Sequence, residues 1–286
     1  MTPGVTATEI MTVAASRLLK DGTVCFVGIG LPSAAANLAR LTHAPEVVLI
    51  YESGPIGAKP AVLPLSIGDG ELALTADTVV GTPEIFRYWL QGGRIDVGFL
   101  GAAQIDRFAN INTTVIGSYD EPSVRLPGAG GAPEIASQAK EVFIVLKQSP
   151  KAFVATLPFV TSAGHLDGGD ARARAGIPGA GPTAVITDLG ILTPDPVSRE
   201  LALTGIHPGV TVEQVKRATG WDLKISPDLT TTDLPDAATL AALRDLQART
   251  AAAHGTAPDS TPGTTPITTP ITTQGRAGGG ASGREG

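Results

Sequence analysis

The chain is short of several things, and each shortage excludes a class of protein. Among its 286 residues there is one cysteine, Cys25. That excludes an intrachain disulfide and any cysteine-rich metal site, and it fits a reducing cytoplasm. Within Val24-Cys25-Phe26-Val27 the thiol reads as a buried core group, not a nucleophile. Aromatic residues make up only 4%, so the core must be built largely from Val, Ile, Leu and Ala. No segment reaches the ~18 apolar residues of a membrane span, and no basic-then-apolar leader opens the chain, so neither spanning nor standard secretion is expected. Positive charge is scarce too: 21 Lys and Arg face 27 Asp and Glu, a net charge of -6. Neither nucleic acid nor an anionic membrane finds a basic footprint, and neither is expected as a partner. No pair of residues has metal-ligand spacing, so no metal is expected.

What is plentiful is glycine (35), proline (23) and aliphatic side chains, within a hydrophobic content of 42%. That supports a sizeable core with many turns. Thr6-Ala7-Thr8-Glu9 has capping-box spacing, and Ile10, Val13, Ala14 and Leu18 follow at helical intervals up to Gly22. Strands are expected at Thr23 to Val27, Val47 to Tyr51, Ile95 to Leu100, Val142 to Leu146 and Ala184 to Thr187. Ser33 is placed to cap a helix running to about Leu41, and later helices are expected at Val212 to Thr219 and Ala237 to about Ala253. Strand, helix, strand is the rhythm of parallel pairing, so the fold expected is α/β: an open, mainly parallel sheet flanked by helices. One domain is expected over residues 1–254. From 255 to 286 the composition shifts to Gly, Thr, Pro and Ser, which predicts a disordered tail.

Tyr51-Glu52-Ser53-Gly54 is the stretch most suggestive of chemistry. Glu52 would emerge at the carboxyl end of an apolar strand, where open α/β sheets place ligands. Ser53 and Gly54 then suit a tight turn. Gly28-x-Gly30 after the first strand, with an acid ending the next, imitates a dinucleotide-binding fingerprint. The third glycine is replaced by Ser33, however, and Pro32 stiffens the turn where a pyrophosphate would sit. A glycine-rich strand-to-helix turn in another α/β protein is the better reading.

Gly28-Ile29-Gly30-Leu31-Pro32, Tyr51-Glu52-Ser53-Gly54, Gly101-Ala102-Ala103-Gln104-Ile105-Asp106 and Gly128-Ala129-Gly130-Gly131-Ala132 occur in that order. So do Gly57-Ala58-Lys59-Pro60, Asn110 to Gly117, Val160 to His165, Leu189 to Leu192 and His207 to Thr211. Together, over about residues 8 to 245, they resemble the β subunit of class I coenzyme A transferases, most of all that of glutaconate CoA-transferase. The resemblance implies the open fold these enzymes share with sugar-phosphate isomerases. It implies that Glu52 is the nucleophile, passing through a glutamyl-CoA thioester. It also implies that coenzyme A is a substrate, with no permanently bound cofactor, and that the acyl partner is a dicarboxylic or 3-oxo acid. A separate α subunit would complete the pocket in a heterodimer or heterotetramer.

On the same basis Gly130, Gly131 and Ala132 would form the glycine loop beside the nucleophile, its amides near the reacting carbonyl or the CoA. Gly28, Gly30, Ser53, Gly54 and Gln104 are further candidate pocket residues. Arg107 and Arg125 are candidates to clamp a second carboxylate, although exposed arginines near loops are common. Asp106 reads as a turn cap, and His165 and His207 as structural residues. Two other functions compete: a hydrolase acting on a CoA thioester or a CoA-linked ring-cleavage product, and a non-catalytic ligand-binding module on the same scaffold.

Overall fold

The computed structural model describes residues 4–255, so the expected tail lies outside the described residues apart from Gly255. Ten strands form one sheet: β1 (Val24–Val27), β2 (Val48–Ile50), β3 (Pro55–Ile56), β4 (Thr78–Val79), β5 (Val97–Gly101), β6 (Glu141–Val145), β7 (Pro182–Ile186), β8 (Gly190–Pro194), β9 (Leu201–Ile206) and β10 (Lys224–Thr231). Their order across the sheet is β10-β9-β8-β7-β6-β5-β1-β2-β3-β4. The central run β7-β6-β5-β1-β2 is parallel throughout. All five of its strands fall where they are expected, because strands buried on both faces read as continuous apolar runs. The additions lie at the margins. β3 and β4 return antiparallel beside β2, while β8 and β9 are antiparallel and β10 joins β9 in parallel.

The two-residue strand period sorts side chains onto two cores. Cys25, Val27, Leu49, Tyr51, Phe99 and Phe143 pack with Met11, Ala14, Ala35 and Ala39 of α1 (Ala7–Arg17) and α2 (Leu31–Leu41). Phe26, Ile50, Leu100 and Ile144 face the other way, toward Ile85, Leu90 and Ile135. Ile135 belongs to α3 (Ala132–Gln138), which presses so closely on β5 that a side chain at Gly98 would run into it. Cys25 is buried and its thiol is pushed upward by desolvation, so it behaves as the expected core group.

The capping box of α1 forms as the spacing predicts, with Thr6 Oγ1 accepting from Glu9 N–H at 3.2 Å and Glu9 Oε2 from Thr6 N–H at 2.7 Å. The helix stops at Arg17, well short of Gly22, which turns the chain at φ +73. A second capping box, Thr211 with Gln214, starts α4 (Val212–Arg217). Helix α5 (Ala237–His254) starts on Asp236 and is tied to α1 by an Arg244–Glu9 ion pair at 2.6 Å. No helix among the described residues is long and apolar enough to cross a membrane.

Candidate active site

β1 is where the strand order reverses, since β2 lies on one side of it and β5 on the other. Ligands bind at such points, beyond the carboxyl ends of the strands. Two loops leave the sheet there. The first is Gly28-Ile29-Gly30. Gly28 N–H donates to Phe99 O at 3.2 Å, and a Cβ on Gly28 would lie 3.2 Å from that oxygen, so glycine lets this loop lie against β5. Gly30, at φ +80, is the residue from which α2 starts. The expected cap, Ser33, therefore sits inside the first turn and does other work. Its hydroxyl lies 3.1 Å from Tyr51 Oη, and Asn37 Nδ2 donates to the same phenol oxygen at 3.3 Å. All three side chains are buried, and burial pushes the Tyr51 phenol upward against the pull of these hydrogen bonds.

The second loop carries Glu52. Gly54 N–H donates to Tyr51 O at 3.0 Å, and Tyr51 N–H to Pro55 O at 3.1 Å, so Glu52 and Ser53 form the tip of a tight hairpin between β2 and β3. Gly54 adopts φ +119, and a Cβ there would collide with the Val80 carbonyl oxygen. Ser53 turns its hydroxyl away to donate to Ile67 O. Glu52 lies on the Ile50 side of the sheet, half-buried, and accepts no hydrogen bond from the described residues.

Beneath the carboxyl lies the predicted glycine loop. Gly130 turns at φ +50 and Gly131 is buried at the start of α3. A Cβ on Gly131 would stand 3.2 Å from Glu52 Cδ, and one on Gly130 would stand 3.8 Å from Glu52 Oε2. Ala132 N–H is engaged by Ala129 O at 3.1 Å, whereas the Gly130 and Gly131 amides donate to no acceptor among the described residues. Phe86 completes the surroundings. Its Cζ would lie 2.6 Å from that same Gly131 Cβ, and its ring packs on Phe26 with centroids 5.9 Å apart. None of the sequence motifs points to Phe86.

The other candidates are placed elsewhere or otherwise engaged. Gln104 is buried with both ends of its amide engaged: Oε1 accepts from Asn112 Nδ2 at 2.9 Å and Nε2 donates to Lys151 O at 3.1 Å. Arg125 donates to Tyr119 O at 3.0 Å and stacks over that ring, while Arg107 pairs with Glu200 at 3.7 Å. Asp106 holds its own turn, accepting from the amides of Phe108 and Asn110, and burial pushes its carboxyl upward. His165 and His207 are buried on backbone carbonyls, as structural residues should be. No cluster of three metal-binding side chains occurs among the described residues.

A strand-end glutamate over a glycine loop at the switch point of an open sheet is the arrangement that the motifs anticipate. The coenzyme A transferase family model matches residues 8–218, and the chain belongs to that family. The β subunit of 3-oxoadipate CoA-transferase from Pseudomonas knackmussii is 69% identical over 247 residues, covering 86% of this chain and 95% of that one. The β subunit of glutaconate CoA-transferase from Acidaminococcus fermentans is 34% identical over 244 residues, 83% of this chain and 90% of its own. The crystal structure of glutaconate CoA-transferase from that organism matches with a TM-score of 0.79 over 84% of this chain and 94% of that one, at 32% identity. A cholesterol ring-cleaving hydrolase subunit of Mycobacterium tuberculosis is 25% identical over 76% of this chain and 85% of its own. The protein is thus the β subunit of a two-subunit CoA-transferase, with a separate α subunit as partner and coenzyme A as substrate.

Proposed function

We propose that this subunit supplies Glu52 as the nucleophile for moving CoA between an acyl-CoA and 3-oxoadipate, which is at once a dicarboxylic and a 3-oxo acid. The observation that carries the reading is the half-buried Glu52 carboxylate, without hydrogen-bond partners among the described residues, poised over two free glycine amides. A Glu52 oxygen attacks the acyl carbonyl. The carbon–sulfur bond breaks, CoA leaves as thiolate and an acyl-glutamyl anhydride forms. The thiolate then attacks the glutamyl carbonyl, expels the acid as carboxylate and leaves a glutamyl-CoA thioester. An incoming carboxylate runs the sequence backward and departs as the new acyl-CoA, which is covalent catalysis with ping-pong kinetics.

Each tetrahedral stage places negative charge on a carbonyl oxygen, and preorganised backbone donors are the usual means of stabilising it. The Gly130 and Gly131 amides are assigned that role. Gly28, Gly30, Ser53 and Gly54 are assigned to shaping the pocket wall through the backbone. Ala132 and Gln104 support that wall, since their polar groups are already engaged. The exposed apolar side chains of Leu65, Ile67, Val79 and Tyr88 belong to segments packed around the Glu52 turn, and we assign them to the α-subunit contact. The buried free thiol of Cys25 is consistent with a cytoplasmic enzyme.

The experiment is to co-express this chain with its α subunit, incubate with a panel of acyl-CoAs including 3-oxoadipyl-CoA, trap with borohydride and measure intact mass. Borohydride reduces the thioester, releases CoA and leaves a primary alcohol in place of the Glu52 carboxyl, so a mass loss localised to Glu52 and absent in Glu52→Gln supports the thioester route. Release of CoA that needs no acceptor acid and leaves Glu52 unmodified would favour the hydrolase.

A further inference from the structure

Phe86 reaches Glu52 by way of an uncommon backbone. Ile85–Leu90 is a π-helical segment in which Gln91 N–H donates to Phe86 O and Arg94 N–H to Trp89 O, both at 2.9 Å. Such turns are rare and occur often at functional sites. The wider turn has a visible consequence here. Ile85 and Leu90, five residues apart, are both fully buried, although an α-helix would point them roughly 140° apart. With Ile85 and Leu90 fixed in the core, Phe86 is turned to the rim above α3. The segment's start is fixed as well, because Val80 N–H donates to Gly54 O at 3.1 Å and β4 pairs with β3. The backbone that bends at Gly54 to present Glu52 therefore also positions the π-helix that presents Phe86.

The two side chains meet over one atom. From the point where a Gly131 Cβ would lie, Phe86 Cζ is 2.6 Å away, Phe86 Cε1 is 3.0 Å away and Glu52 Cδ is 3.2 Å away. The ring tip and the carboxyl carbon thus share the space that the missing side chain leaves. Phe26 backs the ring, at 5.9 Å between centroids and 55° between planes, so the ring cannot retreat far from the glutamate.

In the function proposed above, Glu52 Cδ is the carbonyl carbon of the CoA thioester, and this inference rests on that reading. Water is the competing nucleophile at this carbon. Its oxygen would bond to Cδ, the carbon–sulfur bond would break, CoA would leave as thiolate and Glu52 would be regenerated as carboxylate, with both of the water's protons passing to solvent. The CoA would then be lost instead of transferred. A water molecule poised to attack needs hydrogen-bond partners, and a ring edge supplies none on its side of Cδ. We propose that Phe86 is a specificity-determining residue whose ring screens the glutamyl-CoA carbonyl from water, so that the intermediate waits for a carboxylic acid. Without that screen the same site would hydrolyse its own intermediate.

The test uses the complete enzyme, co-expressed with its α subunit, as wild type, Phe86→Leu and Phe86→Ala. CoA release from 3-oxoadipyl-CoA without acceptor is compared with transfer to a panel of short dicarboxylates, and borohydride reduction of Glu52 to its alcohol is followed by mass in parallel. The ratio of hydrolysis to transfer rises about tenfold in Phe86→Ala, or about 1.4 kcal/mol of lost discrimination. It rises less in Phe86→Leu, which keeps apolar bulk over Gly131 and carries the test if the alanine variant does not assemble. Reduction of Glu52 in all three proteins with an unchanged ratio overturns the screening role alone. No reduction even in the wild type removes the thioester reading, and the screening role falls with it.

Discussion

Gly131 lies directly beneath Glu52, so close that a Cβ added to it would stand 3.2 Å from the carboxyl carbon. Its backbone, at φ -83 and ψ -1, is open to any residue, so Gly131→Ala meets steric resistance from Glu52 and Phe86 and no backbone strain. The variant should fold and assemble. Its activity should fall by about 10- to 100-fold, the usual cost of displacing a reacting group by an ångström. Steady-state kinetics of the assembled enzyme beside a thermal melt check this. Full activity with an unchanged melting temperature would mean that the loop does not bear on the nucleophile.

Gly54 and Gly130 both lie at positive φ, yet they should respond differently to alanine. At Gly54, φ +119 combines with a collision against the Val80 carbonyl oxygen. At Gly130, φ is +50 and the nearest atom is Glu52 Oε2 at 3.8 Å, an ordinary contact. Gly130→Ala should cost about 1 to 2 kcal/mol, the penalty of a left-handed L-residue. Gly54→Ala should cost clearly more, because strain and overpacking act together. Urea unfolding of the two variants side by side gives the comparison, and equal losses would contradict it.

The parallel centre of the sheet was legible because apolar runs bounded by turns have few other uses, and Glu52 because an acid ending such a run is out of place in a core. The resemblance to the CoA-transferase family then tied Glu52 to Gly131. Other features depend on contacts that no local pattern encodes. Ser33 has the chemistry of a helix cap, but Gly30 starts the helix at φ +80 and leaves Ser33 inside the first turn, facing Tyr51. Gln104 reads as available for a ligand, but Asn112, eight residues on, takes its oxygen. The short strands Pro55–Ile56 and Thr78–Val79 have no run to announce them. Phe86 left no trace, because Ile85 with Trp89 and Phe86 with Leu90 are spaced as in any α-helix, and only the burial of both Ile85 and Leu90 reveals the wider turn.

Tyr51→Phe removes one oxygen from a closed polar cluster. Ser33 Oγ and Asn37 Nδ2 remain bonded to each other at 3.3 Å, so neither is left without a partner. The loss should therefore be modest, about 1 kcal/mol. Ser33→Ala should cost a similar amount, and the double variant less than the sum, because both changes break the same contact. A double-mutant cycle by chemical denaturation measures the coupling. Strict additivity would show that the two hydroxyls do not interact.

Acidification should destabilise the protein before its carboxylates begin to titrate. His165 Nε2 lies 2.8 Å from Pro182 O and His207 Nε2 lies 2.9 Å from Thr187 O, so each ring must carry its proton on Nε2. His207 Nδ1 then accepts from Thr232 Oγ1 at 2.7 Å. Burial pushes both histidines below their ordinary value of 6.5. In the unfolded chain they take up protons near ~6.5, while in the native state they stay neutral to lower pH. Between those values the unfolded state binds more protons, so stability is complete above about pH 6.5 and falls below it. The slope should approach about 1.4 kcal/mol per pH unit for each histidine that stays neutral. Asp106, pushed upward by burial, works in the opposite sense nearer the carboxylate range, so the clean window is roughly pH 7.5 to 5.5. Urea unfolding across that window should show the decline. The slope should flatten when His165 and His207 are each replaced by Gln, and a wild-type profile that is level or rises toward pH 5.5 would show that these rings accept protons in the folded protein.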